Sequence, residues 1–241
     1  MKTRFGALCA LLLTLFALPA HALDVEEDLP DAATEAGTPP TGRWREIALE
    51  TGASLLVPSK ISGSQLGPDR TMGGFFLRAG LEVTHHVFVE GQWTSSGQQT
   101  AVFAGSAMHQ LDTHWLSLGA RWMPPVTTWF RPFVRAGSGA VREAIEVTGG
   151  SATFSESGWT PQIYGALGFD LLLPPKVFSR RPGAKFTFGL TYEFGYAHAF
   201  ARDVVLTGSR DLQPSMPQQS LDMGSFTLAG WMHQIAYTVR F

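Results

Sequence analysis

The chain has 241 residues and a single cysteine, Cys9. That scarcity excludes a disulfide framework, a cysteine zinc site and a cysteine nucleophile from everything beyond the N-terminal region. Charge is scarce as well. Asp, Glu, Lys and Arg make up 16% of the residues, against about 25% in ordinary soluble domains. With 18 basic and 20 acidic side chains the net charge is −2. This excludes a broadly basic nucleic-acid surface and an acidic disordered chain. After the N-terminus no apolar run is long enough for a spanning helix. What is present is glycine, at 26 residues, and a 44% hydrophobic content. An apolar, charge-poor, glycine-rich chain without a helical span points to strands that cross a membrane.

The N-terminus reads as an address. Lys2 and Arg4 precede an apolar run from Ala7 to Leu18, Pro19 breaks it, and Ala20-His21-Ala22 supplies an A-x-A cleavage pattern. Residues 1–22 are expected to be a secretory signal peptide. Residues 23–42 are acidic and rich in Pro, Thr and Ala, with Asp24, Glu26, Glu27, Asp28, Asp31 and Glu35. Such a segment buries too little apolar surface to offset its ordering entropy, so a disordered periplasmic leader is expected.

From residue 43 to 241 the hydrophobic period is two. Ile47, Leu49, Ala53 and Leu55 oppose Glu46, Ala48, Glu50, Gly52 and Ser54. Phe75, Leu77, Ala79, Leu81 and Val83 oppose Phe76, Arg78, Gly80 and Glu82. Later segments repeat the pattern around Val87–Trp93, Leu116–Trp122, Val134–Ala140, Gln162–Leu171, Phe186–Tyr196 and Trp231–Phe241. Each of these eight segments has roughly the ten residues that a tilted strand needs to cross a bilayer. One face is apolar and aromatic; the other carries glycine, small residues and charge. A soluble barrel has the reverse arrangement, so the charged face is expected inside and the apolar face against lipid. Closure satisfies the backbone groups that an open sheet in lipid would leave bare. The expected fold is all-β, an eight-stranded antiparallel up-and-down transmembrane barrel.

The connections alternate in length. Thr84–His86 and Met123–Trp129 are short, whereas Ser96–Gln110, Arg142–Thr160 and Ala201–Ser225 read as long outer loops. Short periplasmic turns and long outer loops would place both barrel ends in the periplasm. Leu172–Lys185, with Lys176, Arg180 and Arg181, is long for a periplasmic turn.

Two stretches carry a family resemblance. Ala236-Tyr237-Thr238-Val239-Arg240-Phe241 resembles the β-signal of bacterial outer-membrane barrels, with Tyr237, Val239 and Phe241 as the alternating assembly residues. Arg131-Pro132-Phe133-Val134-Arg135-Ala136-Gly137-Ser138-Gly139 looks like the R-P-Y-x-x-x-G-x-G strand of OmpA/OmpW-like small barrels. Arg135 departs from the small residue usual in that strand, which implies a more crowded interior. The resemblance implies an eight-stranded outer-membrane barrel in contact with lipopolysaccharide and with the barrel-insertion machinery.

The inward face gathers Glu46, Glu50, Glu82, Glu90, Asp170 and Glu193 with Arg78, Arg121, Arg135 and Arg240. Strand order and depth put Glu46 near Arg240 and Glu50 near Arg78. An eight-stranded lumen is just wide enough for side chains to fill, and unpaired buried ions are costly, so pairing is expected over conduction. Trp44, Trp122, Trp129, Tyr237 and Phe241 are expected at one interface, and Phe75, Trp93, Tyr196 and Trp231 at the other. His198 has no serine two residues on, His109, Asp112 and Ser106 form only a loose spacing, and His85-His86 lie in a turn. No catalytic set, metal site or cofactor follows from them. The chain reads as a non-enzymatic barrel for envelope or surface interaction, including as a subunit of an envelope-spanning machine for secretion, motility or adhesion. Its partners would be envelope proteins held through the outer loops or the 172–185 turn, and not nucleic acid. A narrow OmpW-like solute channel is the alternative reading, and a lipid A-modifying enzyme the third.

Overall fold

A computed structural model describes residues 45–62, 71–84, 86–102, 107–124, 126–149, 152–173, 187–208 and 220–241. The signal peptide and leader expected over 1–22 and 23–42 lie outside the described residues. So do Trp44, His85, Ser106 and all but the first residues of the 172–185 turn.

Nine strands follow one another: β1 (Ile47–Ser62), β2 (Met72–Thr84), β3 (Val87–Val102), β4 (Ala107–Trp122), β5 (Phe130–Gly149), β6 (Ala152–Leu173), β7 (Thr187–Ala199), β8 (Arg202–Gly208) and β9 (Ser220–Arg240). Each of β1 to β6 pairs antiparallel with the next, and β7 pairs with β9. The ring closes between β1 and β9, with Glu50 opposite Thr238 and Ala53 opposite Ile235. At the foot of this seam Phe241 N–H donates to Ile47 O at 3.0 Å and Ile47 N–H donates back at 3.3 Å.

Eight of the strands therefore form an up-and-down barrel, and β8 is an addition within it. β8 follows β7 along the same course, between β9 on one side and β6 on the other. The interruption begins at Pro161. The Pro161 carbonyl accepts from Phe200 N–H at 3.0 Å. In an antiparallel ladder the N–H of that same residue would return the bond, and proline has none. The ladder stops there and resumes only at Ser155↔Thr207 and Phe154↔Gly208.

The expected outer loops are corrected by the strands. Ser96–Gln110 is the tip of the β3–β4 hairpin, with paired residues up to Val102↔Ala107. Arg142–Thr160 is the β5–β6 hairpin, paired to Gly149↔Ala152. Ala201–Ser225 contains β8 and the first part of β9. At 22 residues, β6 runs about 70 Å at roughly 3.3 Å per residue, far more than an apolar band about 25 Å tall requires.

The burial pattern divides the barrel into two storeys. Toward the foot of the barrel, the outward side chains are apolar and open, among them Leu118 at 70% and Leu167 at 62% exposure. Only lipid accommodates such a continuous belt. Beyond the level of Trp93, His114, Arg142 and Trp159 the outward residues become polar: Asp112, Gln110, Glu146, Ser157 and Ser155. The inward residues change in the opposite sense, to Trp115, Leu111, Val141, Ile145, Val204, Leu206, Phe226 and Leu228, all buried. A lipid-facing barrel with a polar lumen thus carries a water-facing barrel with an apolar core.

Candidate functional site

The lower lumen is an ionic lattice built from consecutive strands. Glu50 on β1 binds Arg78 Nη1 at 2.7 Å and Arg121 Nη1 at 2.6 Å. Arg121 Nε reaches Glu90 Oε1 at 2.6 Å, and Glu90 Oε2 meets Arg135 Nε at 2.9 Å. Arg135 Nη1 meets Glu193 Oε1 at 2.9 Å, and Glu193 Oε2 returns to Arg78 Nη2 at 2.8 Å. The result is a closed ring of alternating charge: Glu50, Arg78, Glu193, Arg135, Glu90, Arg121. It sums to zero, and every member is buried. Within the ring each cation touches two anions and each anion two cations, and Arg121 also lies 3.8 Å from Asp170, which is how ions are tolerated away from water.

Beneath the ring, Arg240 binds both Asp170 and Glu46, and Arg131 Nη1 joins Glu46 at 3.1 Å. Asp170 also accepts from Thr191 Oγ1 at 2.7 Å. Burial tends to raise the Glu46 carboxyl, but Arg240 and Arg131 outweigh it and hold the group below the ordinary range. Glu82 stands at the edge of the lattice. It accepts from the backbone N–H of Glu46 at 3.3 Å and of His86 at 3.4 Å, bracing the β2–β3 turn. His86 adopts φ 67° there.

Inward aromatic rings complete the lattice. Arg78 lies over Phe76 at 5.0 Å, Arg121 over Phe133 at 4.3 Å, Arg135 over Tyr164 at 4.6 Å and Arg240 over Phe88 at 5.3 Å. The negative ring faces stabilise the planar cations from the sides that carboxylates cannot reach. Period-two reading placed Phe76, Phe88 and Tyr164 on the inward face but gave them no role; the signal was an aromatic two residues from an inward charge, as in Phe76-Leu77-Arg78 and Phe88-Val89-Glu90. The Tyr164 ring fits because Gly119 and Gly137 lie beneath its hydroxyl. A Cβ at either would come within 2.1 Å and 2.4 Å of that oxygen.

Between lattice and apolar core is a small cavity lined by Ser54, Thr94, Trp115, Arg135, Gln162 and Tyr164, among others. It has room for about one water. The apolar core then fills the upper lumen. Ionic lattice, cavity and apolar core thus follow one another along the described lumen.

The upper storey holds a second ionic cluster, which sequence reading missed because its members lie in segments taken as loops. Arg202 Nε donates to Glu143 Oε2 at 3.0 Å and its Nη1 to Glu156 Oε1 at 2.7 Å. Glu156 Oε2 accepts from Val205 N–H at 2.6 Å. Burial pushes the Glu143 carboxyl upward, against the opposing pull of Arg202. These contacts span the break in the β6–β8 ladder.

The aromatic side chains considered for the interfaces separate by level. Trp122, Trp129, Tyr237 and Phe241 lie toward the foot of the barrel, and Phe75, Trp93, Tyr196 and Trp231 toward the upper storey. Val239, read with Tyr237 and Phe241 as an assembly residue, lies buried on β9 opposite Phe188. The histidines do not converge. His109 is buried inside, where burial lowers its pKa, while Asp112 alternates to the outside. His198 points outward against Phe200, with ring centroids 5.3 Å apart. Among the described residues no cluster of His, Cys, Asp and Glu has the geometry to hold a metal ion.

Comparison with known proteins agrees with the architecture. The chain is similar in structure to a major outer membrane protein from Thermus thermophilus, with 13% identity, 83% of this chain and 100% of that chain covered, and a TM-score of 0.52. It is also similar to neisserial surface protein A, with 10% identity, coverage of 81% and 95%, and a TM-score of 0.44. Ail, the attachment invasion locus protein of Yersinia pestis, matches with 14% identity, coverage of 82% and 99%, and a TM-score of 0.43. Neither a protein-family model nor a curated protein sequence matches the chain. The likeness to the Thermus protein establishes a shared fold, that of an outer-membrane β-barrel.

Proposed function

We propose that this protein is a sealed, non-enzymatic outer-membrane barrel whose upper storey is a rigid platform for contacts at the cell surface. The carrying observation is the inversion of faces. Hairpins such as β5–β6 continue as paired strands to Gly149↔Ala152, beyond the lipid-facing belt. Their own apolar core, with Leu111, Val141 and Ile145 fully buried, holds them rigid. A barrel that only anchors itself needs no such second core. A pre-ordered polar surface lowers the ordering cost of binding a partner. The filled lumen supports this reading over the narrow solute channel.

The start of β1 and Phe241 lie at the foot of the barrel, and short connections join β2 to β3 and β4 to β5 there. This arrangement supports an orientation with the foot in the periplasm and the platform outside. Lipopolysaccharide would surround the belt near Trp93 and Trp159. Envelope proteins, including components of a spanning machine for secretion, motility or adhesion, would meet the platform or the 172–185 turn.

Two measurements test the proposal together. Cysteine placed at Glu146 should react with a membrane-impermeant maleimide on intact cells, and the purified barrel should give no unit conductance steps in a planar bilayer. Protection of Glu146→Cys in intact cells would overturn the orientation. Reproducible conductance steps that change with Glu50→Gln would overturn the sealed lumen.

A further inference from the structure

The two storeys meet at the small cavity between the ionic lattice and the apolar core. Several polar side chains around it are already engaged. Gln92 Oε1 accepts from Arg78 Nε at 2.8 Å, and Gln92 Nε2 donates to Thr94 Oγ1 at 2.7 Å. The Ser96 hydroxyl bonds with that of Thr113 at 2.8 Å. Three atoms of lining residues have no hydrogen-bond partner among the described residues: Arg135 Nη2, Gln162 Oε1 and Tyr164 Oη. Their residues are 2%, 3% and 8% exposed, so bulk solvent does not reach them, and a buried polar group left unmet bears its full desolvation cost.

The sequence explains why the three are left over. Arg135 spends Nε on Glu90 and Nη1 on Glu193, and no third carboxylate comes within ion-pair distance of Nη2. The cross-strand neighbours of Gln162 are Gly139 and Ala199, and those of Tyr164 are Gly137 and Ala197. None of the four has a polar side chain to offer. The leftover set is nonetheless complementary. Arg135 Nη2 only donates, Gln162 Oε1 only accepts, and the tyrosine hydroxyl does either. Charge excludes an ion as the shared partner. The ring below is already neutral, so an added anion would meet Glu90 and Glu193 without compensation, and an added cation would meet the Arg135 guanidinium. Size points the same way. The cavity has a volume of about 20 Å³, and one water needs roughly 10–15 Å³ and two to four polar partners.

We infer that this cavity is a binding site for a single water molecule, which accepts from Arg135 Nη2, donates to Gln162 Oε1 and takes the Tyr164 hydroxyl as its third contact. The water joins the charged ring, through Arg135 on β5, to the side chains of β6. Gln162 is also the last residue of β6 that pairs with β7, at Gln162↔Ala199, before the ladder breaks at Pro161. The site therefore braces the wall from inside at the point where its backbone bonding stops. It lies at the one level of the lumen where polar and apolar fillings meet, and it gives the last polar atoms of the lower storey a partner before the apolar core begins.

The test is a crystal structure of the full-length barrel at a resolution that shows ordered water. One isolated peak should lie within hydrogen-bond distance of Arg135 Nη2 and Gln162 Oε1. Gln162→Met keeps an unbranched side chain of similar length but removes the acceptor, and the peak should disappear. Direct bonding of Gln162 Oε1 to Arg135 Nη2 or Tyr164 Oη, with no peak between them, would overturn the site. So would a peak that survives Gln162→Met. Anomalous density at the same point after a bromide soak would make the ligand an anion and overturn water. A second measurement needs no substitution. In the wild-type barrel in bilayers, magnetisation should pass from water protons to the Gln162 side-chain amide and not to the Leu228 methyl groups in the apolar core. Transfer to neither would overturn the site, and transfer to both would show a generally hydrated lumen and overturn a single bound water.

Discussion

Strand β4 shows both halves of the molecule in one line of sequence. From its foot, the outward residues are Trp122, Ala120, Leu118 and Leu116, then His114, Asp112 and Gln110. The inward residues are Arg121, Gly119 and Ser117, then Trp115, Thr113 and Leu111. The backbone, hairpin partners and alternation are unchanged across the boundary. Only the assignment of apolar character to faces changes. The surrounding solvent accounts for this. Lipid outside forces polar groups into the lumen, where they persist only as a neutral, fully paired lattice. Water outside permits an apolar lumen, which is stabilised by burial. One closed ladder accommodates both solutions because strand geometry does not depend on which face is apolar.

The largest expected effect lies in the lower half. Arg121→Ala opens the ring and leaves three buried carboxylates against two cations, and the loss should be about 3–5 kcal/mol. Denaturant unfolding in micelles, read by the gel mobility of heated and unheated barrel, would measure it. A value near zero would mean the ring is not a closed lattice. In the upper half the corresponding deletion is apolar. Leu111→Ala should cost about 2–5 kcal/mol by cavity formation. Hydrogen exchange should place that loss in the upper hairpins, leaving the lower ladder protected.

A sharper comparison puts one substitution on the same face of the same strand. Leu118→Arg brings a cation against lipid and should cost about 2–4 kcal/mol. Gln110→Arg faces water and should change stability by no more than about 0.5 kcal/mol. Equal costs at the two positions would erase the boundary between storeys.

Acid should give the smallest effect and should move the halves in opposite directions. Glu46 is depressed when folded, so its contribution is present above the unfolded pKa and disappears as pH falls through the folded value. Glu46→Gln should remove this part of the acid sensitivity at the β1–β9 seam. Glu143 is raised when folded, so its contribution to upper-storey stability grows as pH falls from neutral and is lost as pH rises through the elevated value. Protection factors at Val204–Leu206, with the intrinsic pH dependence of exchange divided out, should therefore rise in mild acid. A fall there would contradict the sign.

The lower storey was legible because its alternation is strict and its charges all fall on one phase. Glu50, Arg78, Glu90, Arg121, Arg135 and Glu193 were placed inside by period two alone, and the hairpin order brought Glu50 beside Arg78. The closure of six charges into a ring was not legible, since Arg78 reaches Glu193 across the lumen rather than along a neighbouring strand. The upper storey was misread as loops for a related reason. A face assignment carried upward from Leu118 meets His114 and Asp112 where apolar residues are expected, which reads as the end of the strand. It shifts phase instead. Arg202, Glu143 and Glu156 were lost with those segments, although Pro161 inside an otherwise regular strand marked the ladder break beside them.

The most direct test is an accessibility scan along β4. Cys9 precedes all described residues, so spin-labelled cysteines can be placed singly from Met108 to Trp122 in the reconstituted barrel. Collisions with oxygen and with a water-soluble nickel complex report lipid and water respectively. The account predicts oxygen-dominated contact at positions 116, 118 and 120, nickel-dominated contact at 110, 112 and 114, and protection from both at 111 and 115. Lipid contact persisting through 110, or free nickel access at 111 and 115, would contradict a water-facing barrel stacked on a lipid-facing one.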